Sequence, residues 1–143
     1  MACNTAHLLL PELQQRIGHR FTSLVENAVN EVLSRKMSRI GLIASPTTIH
    51  TQLYQAALEA RGIEVLVPTA QECSAVEAVI RGVIAGNNHA RLRAMLVPIS
   101  QSLRAQGAEA VFLGCTELSV LYPREQPHRV DPLHIIVKPL IGE

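Results

Sequence analysis

The sequence predicts an α/β fold in which helices cover both faces of a parallel β-sheet. Two apolar runs rich in β-forming residues, 39–44 and 111–114, end in turn-forming residues, as buried parallel strands do. The first run is followed by an amphipathic helical pattern and then by a third β-rich run, 63–67. This order of strand, helix and strand defines a βαβ unit, whose strands are parallel and whose connection is right-handed.

Length and composition are typical of a soluble globular protein. The chain has 143 residues, of which 48% are hydrophobic and 3% aromatic, so its core must consist mainly of Leu, Val, Ile and Ala. The net charge of +1 and the scattered basic residues argue against nucleic-acid binding. No apolar run approaches the roughly 20 residues that span a bilayer, and we expect no membrane partner. Three widely spaced cysteines and no secretion signal favour a cytoplasmic protein with free thiols.

Before the first strand, the sequence predicts two helices. Pro11 is well placed as the first residue of a helix over 11–17, which Gly18 ends. Residues 19–24 have the composition of a short, mixed strand. Apolar residues at helical spacing then predict a second helix over 25–35.

After the first strand, predicted helices and strands alternate. Pro98 lies inside one helical pattern and should kink that helix or split it, because proline lacks the backbone N–H. The predicted elements are a helix over 48–60 ended by Gly62, the strand 63–67, a helix over 72–85, a helix over 88–106 ended by Gly107, the strand 111–114, a short helical turn after Cys115, a proline-punctuated loop over 123–127, and a last short helix from Pro132.

Two cysteines far apart in the sequence begin similar short motifs. Cys115 directly follows the strand 111–114, so it should lie at the carboxyl end of the sheet, where open α/β sheets bind ligands. Cys3 shows the same order of thiol, polar turn residues and apolar helix. We interpret the two thiols as a pair that faces one substrate. A single cysteine is more often a small buried hydrophobe, and we favour that alternative for Cys73, inside a helical stripe.

The polar residues beside these cysteines have structural alternatives. Thr5, Thr48 and Thr116 could be helix N-caps, a use that is compatible with substrate binding. Glu117 could hold the neighbouring loop or stabilise the first helical turn electrostatically. His7 could tune the nearby thiol or be a satisfied structural histidine. The remaining histidines show no ligand spacing with each other or with the cysteines, which argues against a zinc site.

Three stretches together resemble the aspartate/glutamate racemase family. The two signature cysteine motifs of that family are similar to Ala2-Cys3-Asn4-Thr5-Ala6-His7 and Gly114-Cys115-Thr116-Glu117-Leu118, in the same order. The family's third substrate loop resembles residues 43–49 followed by Tyr54-Gln55. The resemblance covers essentially the whole chain. It implies a flavodoxin-like racemase half and an isomerase that interconverts L- and D-aspartate, or glutamate, without pyridoxal phosphate or metal.

The resemblance implies that Cys3 and Cys115 are the catalytic pair. Racemisation without a cofactor removes an α-hydrogen from one face and returns a proton to the other, and two opposed thiols can exchange these roles. A helix N-terminus lowers a cysteine pKa, which would place both protonation states within reach near neutral pH. The charge that develops on the carboxylate needs fixed donors. The candidate donors are Asn4, Thr5, Thr47, Thr48 and Thr116, with His7 and Glu117 in supporting positions.

The chain departs from the family at its beginning. Family members have two similar α/β domains, and the glycine-rich start of the first one has no counterpart upstream of the first cysteine here. We therefore expect residues 1–36 to be a remnant of a first domain, 37–122 a complete second domain, and 123–143 a tail that returns to the first. The alternative to an active racemase is a truncated, inactive fragment that only folds or forms a homodimer. Between residues 72 and 88 the only basic side chain is Arg81, so the group that binds the distal carboxylate stays open.

Overall fold

The fold was derived from a computed structural model, which describes residues 3–18, 21–122 and 128–137. A short 3-10 helix leads into the first α-helix. The elements are the 3-10 helix Thr5–Leu9, α1 Leu10–Ile17, α2 Leu24–Ser34, β1 Arg39–Ala44, α3 Pro46–His50, α4 Gln55–Glu59, β2 Glu64–Leu66, α5 Ala70–Ile84, α6 His89–Ala105, β3 Ala110–Gly114, α7 Thr116–Ser119, β4 Arg129–Val130 and α8 Pro132–Val137.

The strands of the described residues form one parallel sheet in the order β2-β1-β3-β4. The two central strands, β1 and β3, pair along their length, from Ile40 opposite Ala110 to Ala44 opposite Gly114. Connections between parallel strands must cross over the sheet, and here they contain α3 to α7. The predicted parallel α/β fold is confirmed.

Each face of the sheet carries its own hydrophobic core because successive side chains of a strand point to opposite faces. Ile43, Val111 and Leu113 pack on one face against buried residues of α5, α6 and α7. Leu42 and Phe112 pack on the other face against α2 and α4. The predicted placement of helices on both faces is therefore also confirmed.

Helix α6 continues through Pro98 from His89 to Ala105. The proline lies on the exposed side of the helix, whereas Leu96, Ile99 and Leu103 are buried on both sides of it along the chain. The packing of these side chains against the sheet outweighs the hydrogen bond that proline cannot donate. The helix is therefore not split at Pro98, which was one of the two outcomes predicted for this residue.

The helix predicted over residues 48–60 is interrupted. A turn separates α3 from α4, where Gln52 adopts a left-handed backbone conformation with φ of 53°. The hydroxyl of Thr51 donates to the backbone carbonyl of Thr47 at 2.8 Å, an alternative to helical continuation that threonine offers. Tyr54 lies at the end of this turn and is fully buried.

Two further predictions differ at the ends of the chain. Residues 21–23 form no strand, and Ser23 instead caps α2 by accepting the backbone N–H of Glu26 at 3.2 Å, whereas residues 19 and 20 lie outside the described residues. The two-residue strand β4 was not predicted, because two residues carry no measurable alternation. The helix predicted from Pro132 is present.

Some predicted features fall on residues that the structure does not describe, and the predicted domain boundaries have no structural test. The predicted loop over 123–127 lies outside the described ranges, as does the chain after residue 137. The proposed boundaries at residues 36 and 122 stay predictions. In the described part of the chain, every helix is too short or too polar to cross a bilayer.

Candidate active site

The candidate site lies at the carboxyl edge of the two central strands. Ala44 and Gly114 are register partners at the ends of β1 and β3, so Ser45 and Cys115 emerge side by side from the sheet. The close pairing requires glycine, since a Cβ on Gly114 would lie 2.8 Å from the Cβ of Ala44. The edge of a parallel sheet where strands lead into helices is the usual place for a ligand.

Cys115 is held by a carboxylate two residues further along the chain. Its Sγ donates to Oε2 of Glu117 at 2.9 Å, and the hydroxyl of Thr116 donates to the same oxygen at 3.0 Å. Burial, the hydrogen bond to Glu117 and the charge of that carboxylate raise the pKa of the Cys115 thiol to about 12. The expected lowering of this pKa by a helix N-terminus is wrong, because α7 has only four residues and a carboxylate lies beside the sulfur.

Glu117 is the ionised member of this pair. Burial by itself raises the pKa of the Glu117 carboxyl. The hydrogen bonds from Cys115, from its own backbone N–H and from Thr116 outweigh the burial, and the pKa lies below its ordinary value. Cys115 is therefore a neutral thiol donor and Glu117 a charged acceptor at neutral pH.

Cys3 is exposed, and its backbone is fixed by the histidine of the same motif. Nδ1 of His7 lies 2.8 Å from the carbonyl oxygen of Cys3, while Nε2 accepts the backbone N–H of Leu24 at 2.9 Å. Both bonds form together when the ring is neutral and carries its proton on Nδ1, a tautomer assigned from these partners. His7 thus contacts the main chain of Cys3 and fastens it to α2.

Asn4 and Tyr54 form a buried pair between the two cysteine motifs. The Tyr54 hydroxyl donates to Oδ1 of Asn4, and its ring packs against Phe112 at a centroid distance of 4.5 Å. Burial and the charges of Asp131, Cys115 and Cys3 raise the pKa of the Tyr54 phenol. Both thiols therefore lie within electrostatic reach of one hydroxyl group, although 112 residues separate them in the sequence.

The segment after β1, which contains Ser45, Thr47 and Thr48, contacts the first cysteine motif through hydroxyl groups. The buried Oγ1 of Thr48 lies 2.9 Å from Oγ of Ser45 and 3.2 Å from Oγ1 of Thr5. Thr47 is exposed at the start of α3. These contacts bring the loop after β1 next to Thr5 of the first cysteine motif.

Thr5, Thr48 and Thr116 were candidates for helix N-caps, but none of them caps a helix. Ser45 caps α3, accepting the backbone N–H of Thr48 at 3.3 Å. Asn4 precedes the 3-10 helix and Cys115 precedes α7, neither with a side-chain capping bond. The side chains of Thr5, Thr48 and Thr116 instead bond to other side chains of this edge.

The family model of Asp/Glu/Hydantoin racemases matches residues 1–140 of the chain. The chain belongs to this family. The broad specificity amino-acid racemase RacX of Bacillus subtilis (strain 168) is 26% identical over 121 residues, covering 85% of this chain and 52% of RacX. The glutamate racemase of Synechococcus sp. (strain CC9605) is 29% identical over 143 residues, covering 99% of this chain and 51% of that enzyme.

Solved structures agree with the family and its fold. The structure of PH1733, an aspartate racemase homologue from Pyrococcus horikoshii OT3, superposes with a TM-score of 0.80 and 27% identity over 98% of this chain and 63% of that one. This member of the racemase family therefore spans about half the length of RacX and of the glutamate racemase.

Sequence reasoning missed two residues of the site. Tyr54 and Ser45 stand in the stretch that resembles the racemase family's third substrate loop, but neither is predicted as a site residue. The signal for Tyr54 was a lone aromatic residue in a chain with 3% aromatic content, next to a motif of small polar residues. Its burial could not be predicted, because it depends on the interruption between α3 and α4.

Two other residues lie away from this edge. Cys73 is half-buried on α5, where its Sγ lies 3.5 Å from the carbonyl oxygen of Pro68 and burial raises its thiol pKa. Arg81 is exposed on the same helix and pairs with Glu77 at 2.6 Å. Within the described ranges, no three His, Cys, Asp or Glu side chains cluster in a way that could hold a metal ion.

Proposed function

We propose that this racemase family member interconverts the L- and D-forms of aspartate or glutamate by proton transfer between Cys3 and Cys115, without pyridoxal phosphate. The observation that carries the proposal is that Asn4 and Thr5, which follow Cys3, bond to Tyr54 and Thr48 at the sheet edge where Cys115 emerges. A two-base mechanism needs two groups that approach one α-carbon, and the arrangement supports this.

The protonation state of Cys115 decides which cysteine donates and which accepts a proton in one direction of the racemisation. With a pKa near 12, Cys115 is a thiol at neutral pH and is the group that delivers a proton to the α-carbon. Cys3, as thiolate, takes the α-hydrogen from the opposite face. After the transfer Cys3 is a thiol and Cys115 a thiolate, so the reverse reaction uses the same two groups with exchanged roles.

Fixed polar groups would bind the substrate carboxylate and the charge that develops on it. Oδ1 of Asn4 is occupied by the Tyr54 hydroxyl, which leaves the amide N–H groups of Asn4 as donors. The hydroxyl groups of Thr5, Thr47, Thr48 and Thr116 lie on the same edge or beside it. Such preoriented donors stabilise a developing oxyanion without reorganising during the reaction.

The alternative is a racemase-like fragment that folds, or forms a homodimer, without turnover. The observations that favour it are the exposure of Cys3 and the coverage of only about half of RacX and of the glutamate racemase. An exposed base is poorly shielded from water, and bulk water would compete for its proton. In this alternative, residues 1–36 and 123–143 would contribute to a first domain whose remaining wall lies outside the present chain.

One exchange experiment separates the two proposals. The purified chain is incubated in D2O with L-aspartate or L-glutamate, and loss of the α-proton signal and appearance of the D-isomer are followed by NMR and chiral chromatography. We expect exchange and the D-isomer in the wild type and in Cys73→Ala, and no D-isomer in Cys3→Ala or Cys115→Ala, because conversion needs both thiols whereas exchange on one face needs only one. Absence of exchange in a wild-type chain that circular dichroism shows to be folded would favour the inactive fragment.

A further inference from the structure

A second cleft lies on the face of the sheet that α6 covers, away from the two cysteines. Its volume is about 440 Å³, within the range of roughly 300–1,000 Å³ that is usual for small-molecule sites. One wall is a single face of α6, and Val111 and Leu113 of β3 form part of the opposite wall. The residues assigned above to the candidate active site do not line this cleft.

Guanidinium groups dominate the polar lining of the cleft. Arg93 and Arg104 lie eleven residues apart on α6, which places them on the same helix face about 16 Å apart along the axis. Arg129 contributes from β4 and is 6% exposed. The lining includes no carboxylate among the described residues, and neither Arg93 nor Arg104 joins a salt bridge with them.

The positions of two of these cations are fixed by contacts. Nε of Arg93 donates to the backbone carbonyl of Leu121, which holds the side chain without neutralising its charge. Arg129 lies 3.9 Å from Asp131, a loose ion pair in which both side chains are almost fully buried. Because arginine stays protonated in proteins, Arg93 brings permanent positive charge to the cleft, whereas the charge of Arg129 is offset in part by Asp131.

Tyr122, Val97 and Val111 line the same cleft as the arginines and offer a surface on which the organic part of a ligand can pack. The Tyr122 hydroxyl lies 3.0 Å from the Ser100 hydroxyl, and the charges of Arg93 and Arg129 act on this phenol. Burial nevertheless raises the pKa of Tyr122, so its hydroxyl stays protonated and can donate. The aromatic ring, with Val97 and Val111, offers an apolar surface beside the charged groups.

We propose that this cleft binds a small organic phosphate, whose phosphate groups contact Arg93 and Arg104 and whose apolar or planar part lies against Tyr122 and Val97. The guanidinium fork matches the oxygens of a phosphate in two parallel hydrogen bonds. Because arginine side chains are long, those of Arg93 and Arg104 can meet on one ligand only if they extend towards each other along α6. A nucleoside diphosphate, with several charged oxygen atoms, offers both of them partners. This site is independent of the proposed racemase reaction.

The test is titration of the full chain with ADP, pyrophosphate and adenosine. The chain has two tyrosines and no tryptophan, so a change in intrinsic fluorescence that is lost in Tyr122→Phe reports on Tyr122 alongside calorimetry. We expect saturable binding of ADP and pyrophosphate that weakens with added salt. Arg93→Ala and Arg104→Ala should each weaken ADP binding about tenfold or more. Arg81→Ala, an exposed arginine on α5, is the matched control and should bind as the wild type does.

Several results would overturn the proposal. These are no saturable binding of ADP or pyrophosphate, equal binding of adenosine and ADP, or weakening by Arg81→Ala as large as that by Arg104→Ala. Binding of poly-L-glutamate in preference to all three small molecules would instead assign the surface to acidic polypeptides. A fluorescence change that persists in Tyr122→Phe would place the ligand elsewhere.

Discussion

The carboxylate beside Cys115 makes a prediction that can be measured without any enzymatic activity. Glu117→Gln keeps the size of the side chain and an oxygen that can accept the Sγ hydrogen bond, but removes the negative charge. The hydrogen bond and the charge of Glu117 are, after burial, the largest causes of the raised Cys115 pKa. The variant should therefore ionise at a lower pH than the wild type.

The size of the effect follows from the strength of such contacts. A hydrogen bond to a charged group is worth about 1.5–3 kcal/mol, which corresponds to a pKa change of about 1–2. Far below its pKa, the thiolate fraction of Cys115 would then rise about 10- to 100-fold. Because nucleophilicity decreases with pKa, with a Brønsted coefficient of about 0.4–0.5, the alkylation rate should rise by a smaller factor, about 3- to 16-fold.

The assay is alkylation by iodoacetamide, followed by mass spectrometry between pH 7 and pH 10. Both proteins carry Cys3→Ser and Cys73→Ser, so that Cys115 is the single thiol of the chain. Glu77→Gln, on the exposed side of α5, is the matched control for removal of one carboxylate.

The reasoning fails if Glu117→Gln reacts at the rate of the Glu77→Gln control throughout this pH range. That result would mean that burial alone sets the Cys115 pKa. A slower reaction would be worse for the proposal, because it would indicate that the carboxylate promotes ionisation of the thiol by accepting its proton.

Two further predictions concern the packing of the site. Tyr54→Phe leaves the buried Oδ1 of Asn4 without its donor and should lower the free energy of unfolding by about 1–3 kcal/mol in urea titration; an unchanged midpoint and slope would contradict the hydrogen bond. Gly114→Ala places a Cβ 2.8 Å from the Cβ of Ala44 and should cost about 1–3 kcal/mol by the same measurement, because two central strands must separate. A variant as stable as the wild type would show that the strands separate at no cost.

The fold was predictable because its main elements carry strong patterns. Strands β1 and β3 are continuous apolar runs, and both are buried on two faces. The stripes of α5 and α6 place apolar residues at helical spacing over four turns or more, which tertiary packing reinforces. Patterns of this length determine both the type of an element and the face that it buries.

The parts that could not be predicted are those in which single contacts decide. The interruption before Tyr54 depends on one left-handed residue, Gln52, and on the hydroxyl bonds of Thr51, neither of which alters the apolar spacing. The strand β4 has two residues and forms because β3 offers an unpaired edge. Pattern analysis averages over several residues and so overlooks both features.

The chemistry of Cys115 shows the same limit in the candidate site. A thiol before a helix predicts a lowered pKa, and the adjacent glutamate in the sequence could equally have turned outwards. The structure directs the Glu117 carboxylate towards the sulfur and towards the Thr116 hydroxyl, so that burial and local hydrogen bonding reverse the expected direction of the pKa shift. The position of the residue was predictable from its motif, but its protonation was not.

The first cysteine motif can belong to this site because side chains attach it to distant parts of the fold. The Tyr54 hydroxyl bonds Asn4 across 50 residues, and Thr48 lies within hydrogen-bond distance of Thr5 across 43. The histidine of the motif, itself buried, ties the carbonyl of Cys3 to the start of α2. A terminal segment without such bonds would leave its position on the fold at little cost in free energy, since exposed termini open readily. Three separate attachments make a fixed position for the motif favourable, and the proposed meeting of two thiols depends on that position.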